Sequence, residues 1–316
     1  MNRCDICPNN CDYDNNSICQ QSPIYDDENI VETSAIAIDP IEKKPLYHFM
    51  PGTKTLSIGT VGCNLKCINC QNHTIAQPEN TILVPIKTYA PEELVQQAID
   101  NDLESISWTY NEPTIHPKWI ISTAKIAKDY DIKTILVTNG YTSQKTLDKL
   151  EKYVDAVNVD IKSMDEEFYK EVCVGTLKPV LNSINYYVKH GVHTEVTNLL
   201  IPGYNDSTQD IRKIISFIGN TSDKIPLHFT RFYPQFKLND IEPTREKTIY
   251  KACDLAQYLG IKYTYPGNIE ASYKDNTYCK NCRHLLIERN DYEIKNHVTK
   301  MGGCPNCSHK ADVYQE

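Results

Sequence analysis

Lys54-Thr55-Leu56-Ser57-Ile58-Gly59-Thr60-Val61-Gly62-Cys63-Asn64-Leu65-Lys66-Cys67-Ile68-Asn69-Cys70 opens as a β-branched run and ends in three cysteines spaced CxxxCxxC. The run reads as a strand over residues 55–60, so the cysteines sit in the loop at its end. Thiolates are the usual ligands of iron–sulfur clusters. A 4Fe–4S cluster offers four irons, so Cys63, Cys67 and Cys70 would leave one open for another ligand, whereas structural zinc closes with four ligands. The loop therefore reads as an open, chemically active metal centre. The competing reading is a zinc site completed from elsewhere, for instance by His73, three residues past Cys70.

From this strand the chain keeps one rhythm. Short β-branched runs near 105–110, 133–138, 155–161, 193–200, 227–232 and 262–265 alternate with amphipathic stretches near 91–101, 117–129, 143–152, 179–190, 207–219 and 245–259. Pro91-Glu92-Glu93 places a proline and two acids in a first helical turn. Leu94, Ala98 and Ile99 then share a face, Thr142 or Ser143 is a candidate cap, and Ile211, Ile214, Ile215 and Ile218 are spaced for one buried stripe. Such alternation predicts an α/β fold of βαβ units on a parallel sheet, curled by right-handed crossovers into a full or partial barrel. Before it, Ala35-Ile36-Ala37-Ile38 is a strand candidate in a hairpin-like stretch from about Ser22 to Phe49. The expected segments are a Cys-rich one over 1–50, the barrel over 51–270 and a metal-stapled module over 271–316.

Functional groups of parallel barrels gather at the C-terminal ends of strands. Here those ends carry Tyr110-Asn111-Glu112-Pro113, Thr138-Asn139-Gly140, Asp160-Ile161-Lys162, Ile201-Pro202-Gly203-Tyr204-Asn205-Asp206, His228 with Arg231, and Tyr265-Pro266-Gly267-Asn268. Loops that only turn the chain would not need Glu, Asp, Lys and Arg there. Each also has a plainer reading. Glu112 can cap the next helix, Asp160 and Lys162 can form a surface ion pair, Thr138-Asn139-Gly140 can be a turn, and His228 can be a satisfied core histidine.

The CxxxCxxC loop on a first strand, followed by these motifs, resembles the radical S-adenosylmethionine (SAM) superfamily. The TNG, DxK and PG-x-x-D elements are similar to the pyruvate formate-lyase activating enzyme branch. Phe49-Met50-Pro51-Gly52, Tyr110-Asn111-Glu112-Pro113-Thr114, His228-Phe229-Thr230-Arg231-Phe232-Tyr233-Pro234, Gly267-Asn268 and the terminal cysteine groups resemble the radical SAM member of the AmmeMemoRadiSam system.

The resemblance implies a partial (β/α)6 TIM-like barrel with a 4Fe–4S cluster on Cys63, Cys67 and Cys70. It implies reductive cleavage of SAM to a 5′-deoxyadenosyl radical that takes hydrogen from a peptide, protein or small molecule. The expected SAM contacts are Glu112 on the amino group, Lys162 on the carboxylate, Asp160 on the ribose, Thr138 and Asn139, with Ile201, Pro202 and Gly203 by the adenine. Arg231 and His228 are substrate candidates, Arg231 because a guanidinium in a barrel mouth needs an anionic partner. An electron donor of flavodoxin or ferredoxin type is implied, with Memo-like and AmmeCR-type proteins as associates. Many such loops carry an aromatic residue before the third cysteine; here that position is Asn69. The alternatives are a glycyl-radical-enzyme activase and a non-catalytic zinc-binding scaffold.

Eleven of the 13 cysteines fall in three groups, and Cys173 and Cys253 stand alone as packing residues. Cys279-x2-Cys282 and Cys304-x2-Cys307, 21 residues apart, read as structural zinc with a second iron–sulfur cluster as the competitor. Cys4-x2-Cys7-x3-Cys11-x7-Cys19 is less regular and reads as zinc or an auxiliary cluster. The absence of a secretory h-region and of long apolar runs points to a cytoplasmic protein with no membrane association. A net charge of −8 gives no general attraction to nucleic acid.

Overall fold

Alternation of strand and helix runs from Lys54 onward as the sequence predicts. The computed structural model describes residues 3–12, 17–19, 27–77, 85–270 and 273–315. The chain divides into a unit of Met1–Asp39, Lys54–Thr194 and Pro234–Ile241, and a unit of Pro40–Thr53, Glu195–Tyr233 and Glu242–Glu316.

The first unit contains β1 (Val31–Pro40), β2 (Lys54–Thr60), α1 (His73–Ala76), β3 (Lys87–Tyr89), α2 (Pro91–Asp100), β4 (Ser105–Trp108), α3 (Pro117–Asp129), β5 (Lys133–Thr138), α4 (Gln144–Leu150), β6 (Ala156–Asp160), α5 (Glu166–Phe168) and α6 (Leu177–Lys189). β2 pairs with β4, β4 with β5 and β5 with β6, all parallel and in continuous register. Strands covered on both faces read as unbroken apolar runs, and Leu56, Ile58, Ile106, Trp108, Ile135, Leu136, Val157 and Val159 are buried. The strand over 35–38 extends to residues 31–40 and pairs antiparallel with β3, a partner the sequence did not reveal. The start of the expected hairpin, residues 22–26, lies outside the described residues.

Helix starts follow local chemistry. Glu93 accepts from the Ala90 amide at 2.7 Å, ahead of Pro91 in the first turn of α2. Ser143 caps α4 by accepting from Thr146 N. On α2 the buried face is Leu94, Val95 and Ala98, while Ile99 is only half-buried. That rotates the expected stripe by one position.

In the second unit, β7 (His193–Leu200, from Glu195 on), α7 (Thr208–Thr221), β8 (Leu227–Arg231), α8 (Glu246–Tyr258) and β9 (Thr264–Gly267) continue the alternation. β7 pairs parallel with β8, and β8 with β9. Ser207 caps α7, and Ile211, Ile214, Ile215 and Ile218 are all buried on it, each contributing roughly 1.5–3 kcal/mol. The last segment adds β10 (Thr277–Tyr278), β11 (Leu285–Asn290) and β12 (Glu293–Asn296) as an antiparallel sheet. Among the described residues no helix is long and apolar enough to cross a membrane.

Candidate active site

β2 delivers the chain into the three-cysteine loop, and the loop is tied down along its length. Gly62 N donates to Ile75 O, Lys66 N to Cys173 O and Ile68 N to Val172 O, at 2.8–2.9 Å. Lys237 N donates to Ile68 O at 3.0 Å, and Phe236 stacks on His73 with ring centres 4.6 Å apart. The thiols are held as well as the backbone. Asn139 Nδ2 donates to Cys63 Sγ at 3.6 Å and to Asn64 Oδ1 at 2.8 Å, and Leu65 N donates to Cys63 Sγ at 3.4 Å.

Burial pushes the Cys63 and Cys70 thiols up, Cys70 to about 11, because a thiolate there loses its water. Cys67 goes the other way: the Cys173 thiol hydrogen-bonds to it and draws it down. Cys173, read from sequence as a packing residue, thus lies beside the loop in a π-turn over Tyr169–Cys173. No spacing pattern announces that contact.

The strand-end motifs of this unit meet the same loop. Glu112 is buried, and its carboxylate accepts from Thr114 N at 2.9 Å, Thr114 Oγ1 at 2.6 Å, Thr138 Oγ1 at 2.7 Å and Asn139 N at 2.7 Å. It caps the turn at Pro113–Ile115 and also locks the end of β4 to the end of β5. Burial raises its pKa, against the pull of these donors. Lys162 Nζ pairs with Asp160 Oδ2 at 2.8 Å, both half-buried. Burial works against the Lys162 charge, but the Asp160 carboxylate and then Cys67 outweigh it and hold the ammonium well protonated. A cation therefore stands within electrostatic reach of Cys67 and Cys70. Gly140, at φ +68, has no room for a Cβ, which would stand 2.8 Å from Val159 Cγ1.

The sequence model of the Radical SAM superfamily matches residues 57–218, which carry this loop and its neighbours. The chain belongs to the radical SAM superfamily. It is 40% identical to the uncharacterized protein MJ0808 of Methanocaldococcus jannaschii, over 98% of this chain and 95% of that one. It is 24% identical to a pyruvate formate-lyase-activating enzyme of Clostridium pasteurianum, over 61% of this chain and 85% of that one. The crystal structure of Streptococcus suis SuiB bound to precursor peptide SuiA shares the fold, at a TM-score of 0.52 and 17% identity over 68% of this chain and 48% of that one.

This radical SAM enzyme is of the α/β class with a parallel sheet. The family implies SAM and a 4Fe–4S cluster, and the donors present fit both. Three thiols on one pinned loop, none in a disulfide, offer the ligands. Asn139 and the Leu65 amide aim N–H groups at Cys63, of the kind that tunes such clusters.

Among the described residues, two histidines of the unit, His73 half-buried and His116 buried, take no part in metal binding by spacing. His73 stacks on Phe236, and Cys63, Cys67, Cys70 and His73 do not close to zinc-ligand spacing. His116 is 2% exposed, and burial drops its pKa to about 4. Sequence reasoning passed over it as the residue before Pro117.

In the second unit, Arg231 Nη1 pairs with Glu246 at 2.9 Å, its Nε donates to Thr244 O at 2.7 Å, and the guanidinium lies 4.9 Å from the Tyr233 ring centre. The anionic partner expected of a substrate is thus present as a side chain. His228 pairs with Glu195 at 2.7 Å, both buried, and Glu195 also accepts from Tyr47 N and His48 N at 3.0 and 2.7 Å. His48 Nε2 meets Tyr265 OH at 2.6 Å. His228 belongs to this closed network, as a core histidine would. Ile201, Pro202 and Gly203 form a turn held by Asn205, whose Oδ1 accepts from Ile201 N at 2.6 Å.

The same unit holds a four-thiol metal site. Cys279, Cys282, Cys304 and Cys307 present sulfurs all within 4.8 Å of one another, with 3.7 Å between Cys279 and Cys307 and 3.6 Å between Cys282 and Cys304. The two CxxC knuckles repeat one geometry. Cys279 N donates to His284 O and Cys304 N to His309 O, and Asn281 and Asn306 each donate to a sulfur of the opposite knuckle at 3.5 Å. The Asn306 amide helps draw the Cys282 thiol down to about 6, so a thiolate is favoured there.

Proposed function

We propose that the protein cleaves SAM reductively at a cluster on Cys63, Cys67 and Cys70 and uses the product radical on a peptide, protein or small molecule. The observation that carries this reading is the loop one thiol short of closure, with Asn139 on Cys63 and the Asp160–Lys162 pair within electrostatic reach of Cys67. When bound, the cluster supplies the electron that breaks the S–C5′ bond of SAM and yields the 5′-deoxyadenosyl radical. The protein's own residues position and shield. Lys162 offers charge to the SAM carboxylate, and Asp160 offers an acceptor to the ribose. Glu112 fixes Thr138 through Oε1 and the Asn139 amide through Oε2, and offers its buried carboxylate to the amino group. Asn69 occupies the aromatic position of related loops and is buried, with its Oδ1 among the unpaired acceptors.

Supporting detail comes from the other motifs. The four-thiol site is assigned to structural zinc, because four ligands at this spacing close a tetrahedron. The functional segments are taken as 1–50, 51–270 and 271–316. A flavodoxin or ferredoxin-type donor supplies electrons, and the AmmeMemoRadiSam resemblance nominates Memo-like and AmmeCR-type partners. Thirteen cysteines with no disulfide support a reducing, cytoplasmic location. A second reading, activation of a glycyl-radical enzyme, is favoured by the names of relatives such as the Clostridium pasteurianum activase. Anaerobic protein given dithionite and SAM should release 5′-deoxyadenosine and methionine, read by mass spectrometry. Iron-loaded protein that returns SAM intact overturns the reading.

A further inference from the structure

The chemistry above leaves Cys4, Cys7, Cys11 and Cys19 without a task. Residues 3–12 fold into a knuckle: Cys4 N donates to Cys11 O at 2.8 Å, Asn10 at φ 48 donates to Cys7 O at 3.2 Å, and Arg3 bridges Asp12. Cys4 and Cys7 are each 8% exposed. The knuckle has one aliphatic residue, Ile6, so it has no apolar core of its own. Small thiol-rich turns of this kind are held by metal.

Spacing separates the candidate metals. A Zn–S bond of ~2.3 Å sets tetrahedral thiolates roughly 3.8 Å apart, and the C-terminal four match that. Among the described residues, theirs is the group of three or more such donors that closes within 4.8 Å. Cys63, Cys67 and Cys70 do not close to that distance among the described residues, nor do any three of the N-terminal four, although Cys4, Cys7, Cys11 and Cys19 are near enough to act on one another electrostatically. A cube of irons and sulfides requires a wider cage.

Position gives the site a purpose. Cys19 O lies 2.4 Å from where a Cβ on Gly62 would stand, so only a glycine, here at φ +93, admits it. Asn9 Nδ2 donates to Asn64 O at 2.7 Å. The N-terminal group thus touches the residues on both sides of Cys63. Cys19 therefore lies against the residue that precedes Cys63 in the chain, and the two cysteine groups stand side by side.

We propose that Cys4, Cys7, Cys11 and Cys19 hold a second 4Fe–4S cluster that passes electrons to the one on Cys63, Cys67 and Cys70. The relay role rests on the SAM-cleaving reading; the cluster itself does not. One electron from a low-potential flavin or iron–sulfur donor protein reduces the N-terminal cluster from 2+ to 1+. Transfer returns it to 2+ and leaves the loop cluster at 1+, with no bond made or broken.

The test uses full-length, anaerobically reconstituted protein in two variants, Cys63→Ala/Cys67→Ala/Cys70→Ala and Cys4→Ser/Cys7→Ser. The triple variant should keep about four irons per chain and, after dithionite, an electron paramagnetic resonance signal that SAM does not alter. The double variant should lose that signal and half of the iron, yet keep the SAM-sensitive signal and the C-terminal zinc. A triple variant with zinc in place of iron, or a double variant with unchanged iron, overturns the proposal. Should wild-type protein show no SAM-sensitive signal while the triple variant keeps its iron, the SAM reading fails and the N-terminal cluster stands.

Discussion

The loop at Cys63–Cys70 and the knuckles at Cys279–Cys307 use the same side chain for opposite ends. In the knuckles, four sulfurs converge within 4.8 Å and the protein adds a near-symmetric set of amide donors. Nothing is left for a further ligand, so the metal's binding energy goes into holding β10, β11 and β12. In the loop, three thiols ride on backbone tied to residues 172, 173 and 237, with the Asp160–Lys162 pair within electrostatic reach of Cys67. The difference lies in how many thiols the backbone is built to bring together.

That contrast predicts reciprocal losses. Cys67→Ala should abolish 5′-deoxyadenosine formation while the C-terminal metal stays bound. Cys304→Ser should release that metal and expose residues 277–315 to limited proteolysis, while SAM cleavage remains measurable. If either variant shows the other's phenotype, the division of labour is wrong.

A smaller effect sharpens the comparison through acid. His116 sits buried and neutral, at the end of the turn over Pro113–Ile115 that Glu112 caps. Its pKa falls from an ordinary 6.5 to about 4 through burial. The unfolded chain then binds the extra proton first, so this group costs stability as pH drops below about 6.5 and levels off below about 4. Between pH 8 and pH 5 the loss is about 2 kcal/mol. Denaturant midpoints should show it, and His116→Gln should flatten that part of the profile. An unchanged slope in the variant would remove His116 from the account.

The elements were legible because local signals agreed with tertiary need. Pro117 and the apolar spacing after it gave α3 over 117–129, residue for residue. Ser207 and four isoleucines gave α7. The cysteine loop and the acidic and basic strand ends were readable for the same reason, since each lies within a few residues of a strand. What stayed hidden was held by distance in sequence. The pairing of Cys173 with Cys67, the Glu195 carboxylate accepting from Tyr47 and His48, and the pairing of β1 with β3 all join remote segments. Glu112 shows a third case: capping and site roles were weighed as alternatives, and one carboxylate carries four donors from three places.

The account stands on an iron at the Cys63–Cys70 loop that SAM can reach. Titrating SAM into the anaerobically reduced protein while recording its electron paramagnetic resonance spectrum tests this directly. The expected result is a saturable shift of the cluster signal, present in wild type and absent in Cys67→Ala. A reduced-cluster spectrum that saturating SAM leaves unchanged would contradict it.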